Sequence, residues 1–165
     1  MNKIFSEIAF ENHWQQLTYE RIIEFIGCFP GDKEFIDFYL AKNGGAFTEG
    51  ATFYANDFYK VPDDYQDIPV DSFLHIPLSE NEDDKTYTYS IEKEKNRRSG
   101  VSEEFDKFIL FHIPFADNEG DNTFWIDIQT GEIKYTDFED MGYDPKKTIV
   151  VASSFSDFCK RIKNI

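Results

Sequence analysis

Cysteine is scarce: Cys28 and Cys159 are the only two in 165 residues, with no CxxC pair and no ladder of spacings. That gives no basis for a zinc site or a disulfide framework, and it predicts two buried, reduced thiols. Long apolar runs are missing as well. The N-terminal stretch MNKIFSEIAFENHW is broken by Ser6, Glu7 and Glu11 before a signal-peptide core can build up. The longest apolar run, residues 108–116, contains His112 and falls far short of the ~20 residues that span a bilayer. Positive charge is also in short supply, with 17 Lys and Arg against 32 Asp and Glu and a formal net charge of −15. Repulsion from phosphates argues against nucleic acid or an anionic membrane as a direct partner and favours a basic one. The expectation is a soluble, cytoplasmic protein.

Catalytic signatures are absent too: there is no GxSxG elbow, HExxH, Walker loop or GxGxxG. His13, His75 and His112 are isolated in sequence, and the last two sit inside apolar runs, as core or edge histidines do. The segment DNEGDN, residues 117–122, invites comparison with a calcium loop. Starting from Asp117, however, glycine stands fourth rather than sixth, and Ile128 occupies the twelfth position where a bidentate Glu is needed. Asp, Asn and Gly are also what turns require, so a hairpin turn is expected, with no metal and no cofactor.

Large apolar groups are abundant. With 18 Phe, 9 Tyr and a hydrophobic fraction of 41%, the chain is too apolar for an acidic disordered segment, and residues 1–165 are long enough for one domain with a single core. Thr18 is a candidate N-cap, followed by Tyr19, Ile22, Ile23 and Ile26 at helical spacing and closed by Gly27. Pro30 opens a second predicted helix with Phe35, Phe38 and Tyr39 on its apolar face, ended by Asn43-Gly44-Gly45. Strands are expected at residues 51–54, 73–76, 108–115, 123–128, 132–135 and 149–152. Residues 90–98 read as a solvated polar helix with Glu94 and Arg98 at i,i+4 spacing. Ser153 or Ser154 caps a final helix with Phe155, Phe158, Cys159 and Ile162 as its core stripe. The predicted class is α+β: an antiparallel or mixed β-sheet meander flanked by short N-terminal helices and a C-terminal helix.

Residues 57–84 carry nine Asp or Glu and one Lys, and so contribute −8 of the net charge. Tyr54, Phe58, Tyr59 and Tyr65 lie in or beside this segment, and aromatic groups among carboxylates can form a binding surface for a basic partner. A solvated acidic loop that keeps the protein soluble is the plainer reading.

Several separated pieces resemble the SUKH superfamily, which includes fungal Smi/Knr regulators of cell-wall glucan synthesis. Phe29-Pro30 and the stretch GDKEFIDFYLAKNGG are similar to its opening "G-x-x-L-P-x-x-Y-x-x-F-L-x-x-N-G-G". HIPFADNEGDNTFWIDIQTGEIKY looks like its central hairpin, with an "I-P-F-A" strand, a "D-x-x-G-N" turn and a "D-x-x-x-G" segment, and VVASSFSDFCKRI looks like its closing strand and helix. Phe29 replaces the usual Leu, Lys33 or Glu34 stands where an aromatic is common, and the usual Trp after the glycine strand is absent. The resemblance implies a SUKH-like α+β domain that is not an enzyme and works by protein recognition. Bacterial members are commonly immunity proteins that neutralise a cognate toxin, often a nuclease. The expected partner is thus a basic toxin protein bound stoichiometrically by a monomer. The expected contact residues are Asp63, Asp64, Tyr65, Asp67, Asp71, Glu82, Asp83 and Asp84. A regulatory scaffold in envelope biology and a small-ligand or carbohydrate-binding module are the alternatives.

Overall fold

The first helix starts where its cap predicts. In the computed structural model, which describes residues 10–11, 14–55, 59–78 and 90–164, α1 spans Tyr19–Ile26. Thr18 Oγ1 accepts from Arg21 N, and Gly27, at φ 71°, ends the helix by donating to Ile23 O. Its buried stripe is narrower than the spacing implies. Ile22 is fully buried, but Tyr19, the first residue of the helix, is 54% exposed.

Helix α2, Asp32–Ala41, begins two residues later than expected. Gly31 adopts the left-handed region at φ 77°, so Pro30 and Gly31, instead of opening the helix, form the centre of a turn closed by Asp32 N donating to Phe29 O, and Asp32 Oδ2 accepts from Phe29 N at 3.3 Å. Phe35, Ile36, Phe38 and Tyr39 are buried on it. Asn43 after the helix is a fully used buried amide. Its Nδ2 donates to Gln15 O and Ile76 O, and its Oδ1 accepts from Ile76 N. Gly44 at φ 68° is required there, since a Cβ would lie 2.8 Å from Phe73 O.

The sheet runs β1 (Phe10–Glu11), β2 (Gly45–Tyr54), β3 (Asp67–Phe73), β4 (His112–Asp117), β5 (Thr123–Asp127), β6 (Ile133–Thr136), β7 (Ile149–Ala152), with neighbours in sequence also neighbours in space. An eighth strand, β8 (Ile162–Asn164), returns to β2 beside Ala51, Thr52 and Phe53, while β1 pairs with Ala46 and Phe47 farther along the same strand. Among the described residues the strands pair antiparallel, so the expected meander is present. The second predicted strand is displaced: β3 ends at Phe73, where 73–76 was expected to be extended. Leu74 N still donates to Phe115 O of β4, but Leu74 O turns to accept from Tyr39 Oη at 2.6 Å, and His75 forms an isolated bridge with Ser90.

On one face the rings of Phe35 and Phe38 from α2 and of Phe155 and Phe158 from α5 (Phe155–Lys160) cover Phe53, Phe73, Phe115 and Phe124. Ser154 caps α5, accepting from Asp157 N at 3.1 Å. On the other face α4, Glu103–Leu110, places Phe105 and Phe108 edge-on to Trp125. The expected strand at 108–115 is therefore a helix end, a corner and a strand start. Ser102 caps α4 by accepting from Phe105 N, and Phe105, Phe108 and Ile109 recur at i, i+3 and i+4 on its buried face.

Helix α3, Ile91–Arg98, forms where expected, and Glu92, Lys93, Asn96 and Arg97 are exposed on it, but its other face is buried. Glu94 is 1% exposed and Arg98 4%. Arg98 Nε donates to Glu94 Oε1 at 2.8 Å, Arg97 Nη2 to Glu94 Oε2 at 2.6 Å, and Thr123 Oγ1 to Glu94 Oε1 at 2.7 Å. The Arg98 guanidinium also lies 3.7 Å from the Phe138 ring centroid. One face of a helix whose only apolar side chain is Ile91 is thus buried through a satisfied charge network. The thiols divide as well: Cys159 is buried, but Cys28, just past the end of α1, is exposed, contrary to expectation.

Candidate protein-binding cleft

In an antiparallel meander, alternate connections emerge at the same end of the sheet. Here the β2–β3, β4–β5 and β6–β7 connections do so, and all three are rich in acids. The β4–β5 connection is the DNEGDN stretch, and it is a turn. Asp121 N donates to Asn118 O at 3.0 Å, and Asn118 Oδ1 accepts from Gly120 N and Asn122 N. Asn118 Nδ2 donates to Tyr135 Oη at 3.0 Å, and Asn122 Oδ1 accepts from Phe138 N, so the turn's amides lock it to the β6–β7 connection. Arg97 Nη1, 2.7 Å from Asp121 Oδ1, and Arg98 Nη2, donating to Asp121 O, hold its other side.

The β2–β3 connection contributes a short 3-10 turn, Asp63–Tyr65, anchored by buried Val61, whose carbonyl accepts from Gln66 Nε2 at 2.6 Å. The Tyr65 ring lies 5.9 Å from that of Tyr135, and its hydroxyl is shared between Asp137 Oδ2 at 3.2 Å and Asp140 Oδ2 at 3.0 Å. Burial, followed by these two carboxylates, pushes the Tyr65 hydroxyl well above its ordinary pKa, so it stays a donor.

Between these connections and the bulged stretch of β2 lies a cleft of about 950 Å3. Glu49, Asp64, Asp67, Asp71, Glu119 and Asp137 line it, with Tyr65 and Tyr135 on one wall, and among the described residues no Lys, Arg or His lines it. Burial and the neighbouring Glu119 raise the Asp71 carboxyl above the usual range. One strand position on, Asp117 is pushed up to about 6, chiefly by burial and also by the charges of Glu94 and Asp71. The Ser72 hydroxyl, which donates to it, opposes this. Carboxylates gathered without counter-charge repel one another, and a cation entering the cleft relieves that repulsion.

Of the residues expected to make contact, Asp64, Tyr65, Asp67 and Asp71 line the cleft. Asp63 stands beside them in the same turn, and Glu82, Asp83 and Asp84 lie outside the described residues. Glu49, Glu119, Asp137 and Asp140 were not anticipated. For Glu119, Asp137 and Asp140 the signal was available as acids recurring in alternate turns of a predicted meander, whereas Glu49 sits in the bulged stretch of β2.

The histidines play other parts. His75 lies 5.2 Å from the ring of Trp14 and is buried, and His13 lies outside the described residues. His112, at the far end of β4, stacks on Phe108, donates from Nδ1 to Phe108 O at 2.6 Å and accepts at Nε2 from Lys134 Nζ at 3.0 Å. Burial first, then Lys134, lowers its pKa to about 4, so it is neutral. Lys134 also donates to Asp127 Oδ2 at 2.9 Å. Asp127 Oδ1 accepts from Gln129 N and Thr130 N, which accounts for the D-x-x-x-G pattern ending at Gly131. Among the described residues no cluster of His, Cys, Asp and Glu is arranged to hold a metal ion, and no helix is long and apolar enough to cross a membrane.

No curated protein and no solved structure matches the chain. A family model does match, over residues 21–161, and it covers the opening helices, the whole meander from β2 to β7 and the closing helix. The chain belongs to the SMI1/KNR4 family, SUKH-1.

Proposed function

We propose that this protein is a non-enzymatic binding domain, an immunity protein that holds a basic toxin in a stoichiometric complex in the cytoplasm of the cell that makes both. The observation that carries the reading is the cleft lined by six carboxylates and, among the described residues, by no cation. A nuclease must present positive charge to hold phosphates, and an acidic surface would be steered onto it well above neutral encounter rates. Tyr65 and Tyr135 add rigid aromatic walls of the kind that anchor protein contacts. Family membership supports a toxin-immunity or cell-wall role and favours recognition over catalysis. Asp63, Asp64, Tyr65, Asp67 and Asp71 are the proposed contacts on the described chain, and Glu82, Asp83 and Asp84 extend the same acidic segment.

The test is capture from the source cells with the full chain as bait, at low and high salt. One basic polypeptide retained in equimolar amount at low salt, released at high salt and not held by an Asp63→Lys, Asp64→Lys, Asp67→Lys bait supports the reading. Undiminished capture by that triple variant removes the surface assignment. Capture of an envelope-biosynthesis protein in place of a toxin favours the regulatory role.

A further inference from the structure

A second surface lies at the opposite end of the β4–β5 hairpin, five strand steps and roughly 17 Å from the acidic turn at ~3.4 Å per residue. It is a groove of about 480 Å3 between the end of α1, one side of α3, the end of α4 and the start of the β5–β6 connection. Ile26, Ile91, Ile109, Ile113 and Ile128 make it aliphatic. Its rim continues into open apolar surface, with Leu110 70% exposed and the adjacent Phe111 46% exposed. Exposed large apolar groups that adjoin an aliphatic groove mark an interaction site rather than scattered surface residues.

The groove lacks the acidic excess of the cleft, since its lining holds one lysine, Lys95, and one carboxylate, Glu92. Lys95 projects from α3 into its lining, half-buried, and among the described residues no carboxylate pairs with it. Burial lowers its pKa, as expected for an ammonium without a counter-charge. Glu92, also in the lining, is exposed and makes no ion pair with it. His112 faces the groove with both ring nitrogens already engaged, and Lys134 behind it is held by Asp127. In a chain of net charge −15, this aliphatic groove therefore contains a cation that lacks an anion.

We propose that the groove is a docking site for an extended segment of a protein partner in which a carboxylate sits beside aliphatic side chains, the side chains covering Leu110 and Ile128 and the carboxylate meeting Lys95. The continuation of the groove into the exposed Leu110 and Phe111 suits a polypeptide, whereas an acyl chain needs enclosure. This site does not depend on the immunity reading, because it selects the opposite charge at the other end of the sheet.

Methyl NMR on the full chain tests it with acetyl-Leu-Leu-Glu-Leu-amide, the Gln counterpart of that peptide, and decanoate. The expected result is that the Glu peptide shifts the methyls of Leu110, Ile113 and Ile128 and binds about ten-fold more tightly than the Gln peptide, the factor a single charge-assisted contact supplies. Lys95→Met should erase that ratio, with Lys95→Gln as the second variant if the first does not fold. Equal binding of the two peptides overturns the proposal, as does the absence of methyl shifts with either at millimolar concentration. Decanoate shifting these methyls where the peptides do not identifies an acyl ligand and overturns it too.

Discussion

Replacing Glu94 by Leu tests whether α3 is held by its charges. Glu94 Oε1 accepts from Arg98 Nε and Thr123 Oγ1, and Glu94 Oε2 accepts from Arg97, all at 2.6 to 3.0 Å, with Glu94 and Arg98 almost wholly buried. Leucine fills much of the space but strands the Arg98 guanidinium, which keeps only Tyr143 Oη, the Asp121 carbonyl and carboxylate and the Phe138 ring. Removing one partner of a buried, hydrogen-bonded pair costs about 3–5 kcal/mol. Against the roughly 5–15 kcal/mol that stabilises a typical domain, that is a large fraction. Urea denaturation should show the loss as a lower midpoint at unchanged slope, and a thermal melt should fall by roughly 10 °C at 2–4 °C per kcal/mol. The comparison is Lys107→Ala, which breaks the exposed Lys107–Glu103 pair at 2.8 Å and should change stability by less than about 1 kcal/mol. A Glu94→Leu loss no larger than that of Lys107→Ala would refute the view that the network secures the helix.

Three further outcomes follow from the geometry. The Asp117 carboxyl is raised from 3.8 to about 6 in the folded state, so its proton stabilises the fold below about pH 4, and this is lost as pH rises through 6. Relative to wild type, Asp117→Asn should therefore gain roughly 2–3 kcal/mol between pH 4 and pH 7, at about 1.4 kcal/mol per unit. A pH-independent difference in denaturation midpoints counts against the burial of that charge. His112 is lowered to about 4, so its neutral form supports the fold above about pH 6.5 and the support fades as pH falls through 4. Its Cε1–H resonance should titrate near 4, and a midpoint at 6 or above contradicts the assignment. Gly131 and Gly142 both have positive φ, but a Cβ at Gly131 would overlap Pro30 O whereas nothing lies within 4 Å at Gly142. Gly142→Ala should cost about 1–2 kcal/mol by conformation alone and Gly131→Ala distinctly more, so equal losses in urea melts would show that the Pro30 contact is not tight.

Much of the fold is legible because local chemistry and tertiary structure agree. Thr18 and Ser154 cap the helices they precede, residues 149–152 form the strand their branched side chains predict, and NGG turns where a buried amide and a positive φ are both needed. The misreadings have physical causes. The run FILFHIPF hides a boundary, because α4 ends at Leu110 and β4 begins at His112 inside one uninterrupted apolar string. The helical period is visible only when Ser102 and Phe105 are counted with it. Helix α3 looks solvated because its burial rests on Glu94 and Arg98, and the partners that make this affordable, Thr123, Asp121 and Phe138, are distant in sequence. The cleft was half legible. The acids of residues 63–71 stand together in the chain, but Glu119 and Asp137 reach them only through the alternation of connections in the meander, and Glu49 only through the bulge of β2 against β3.

The acidic cleft is proposed to recruit a basic partner by electrostatic steering. The most direct measurement is the association rate of the captured partner as a function of ionic strength, for wild type and for Asp64→Lys, Asp67→Lys. Steering by the cleft predicts a wild-type rate that falls steeply as salt shortens the screening length from roughly 30 Å at 0.01 M to 10 Å at 0.1 M, and a slower, much flatter dependence in the variant. Identical rates and identical salt slopes for the two proteins would contradict it.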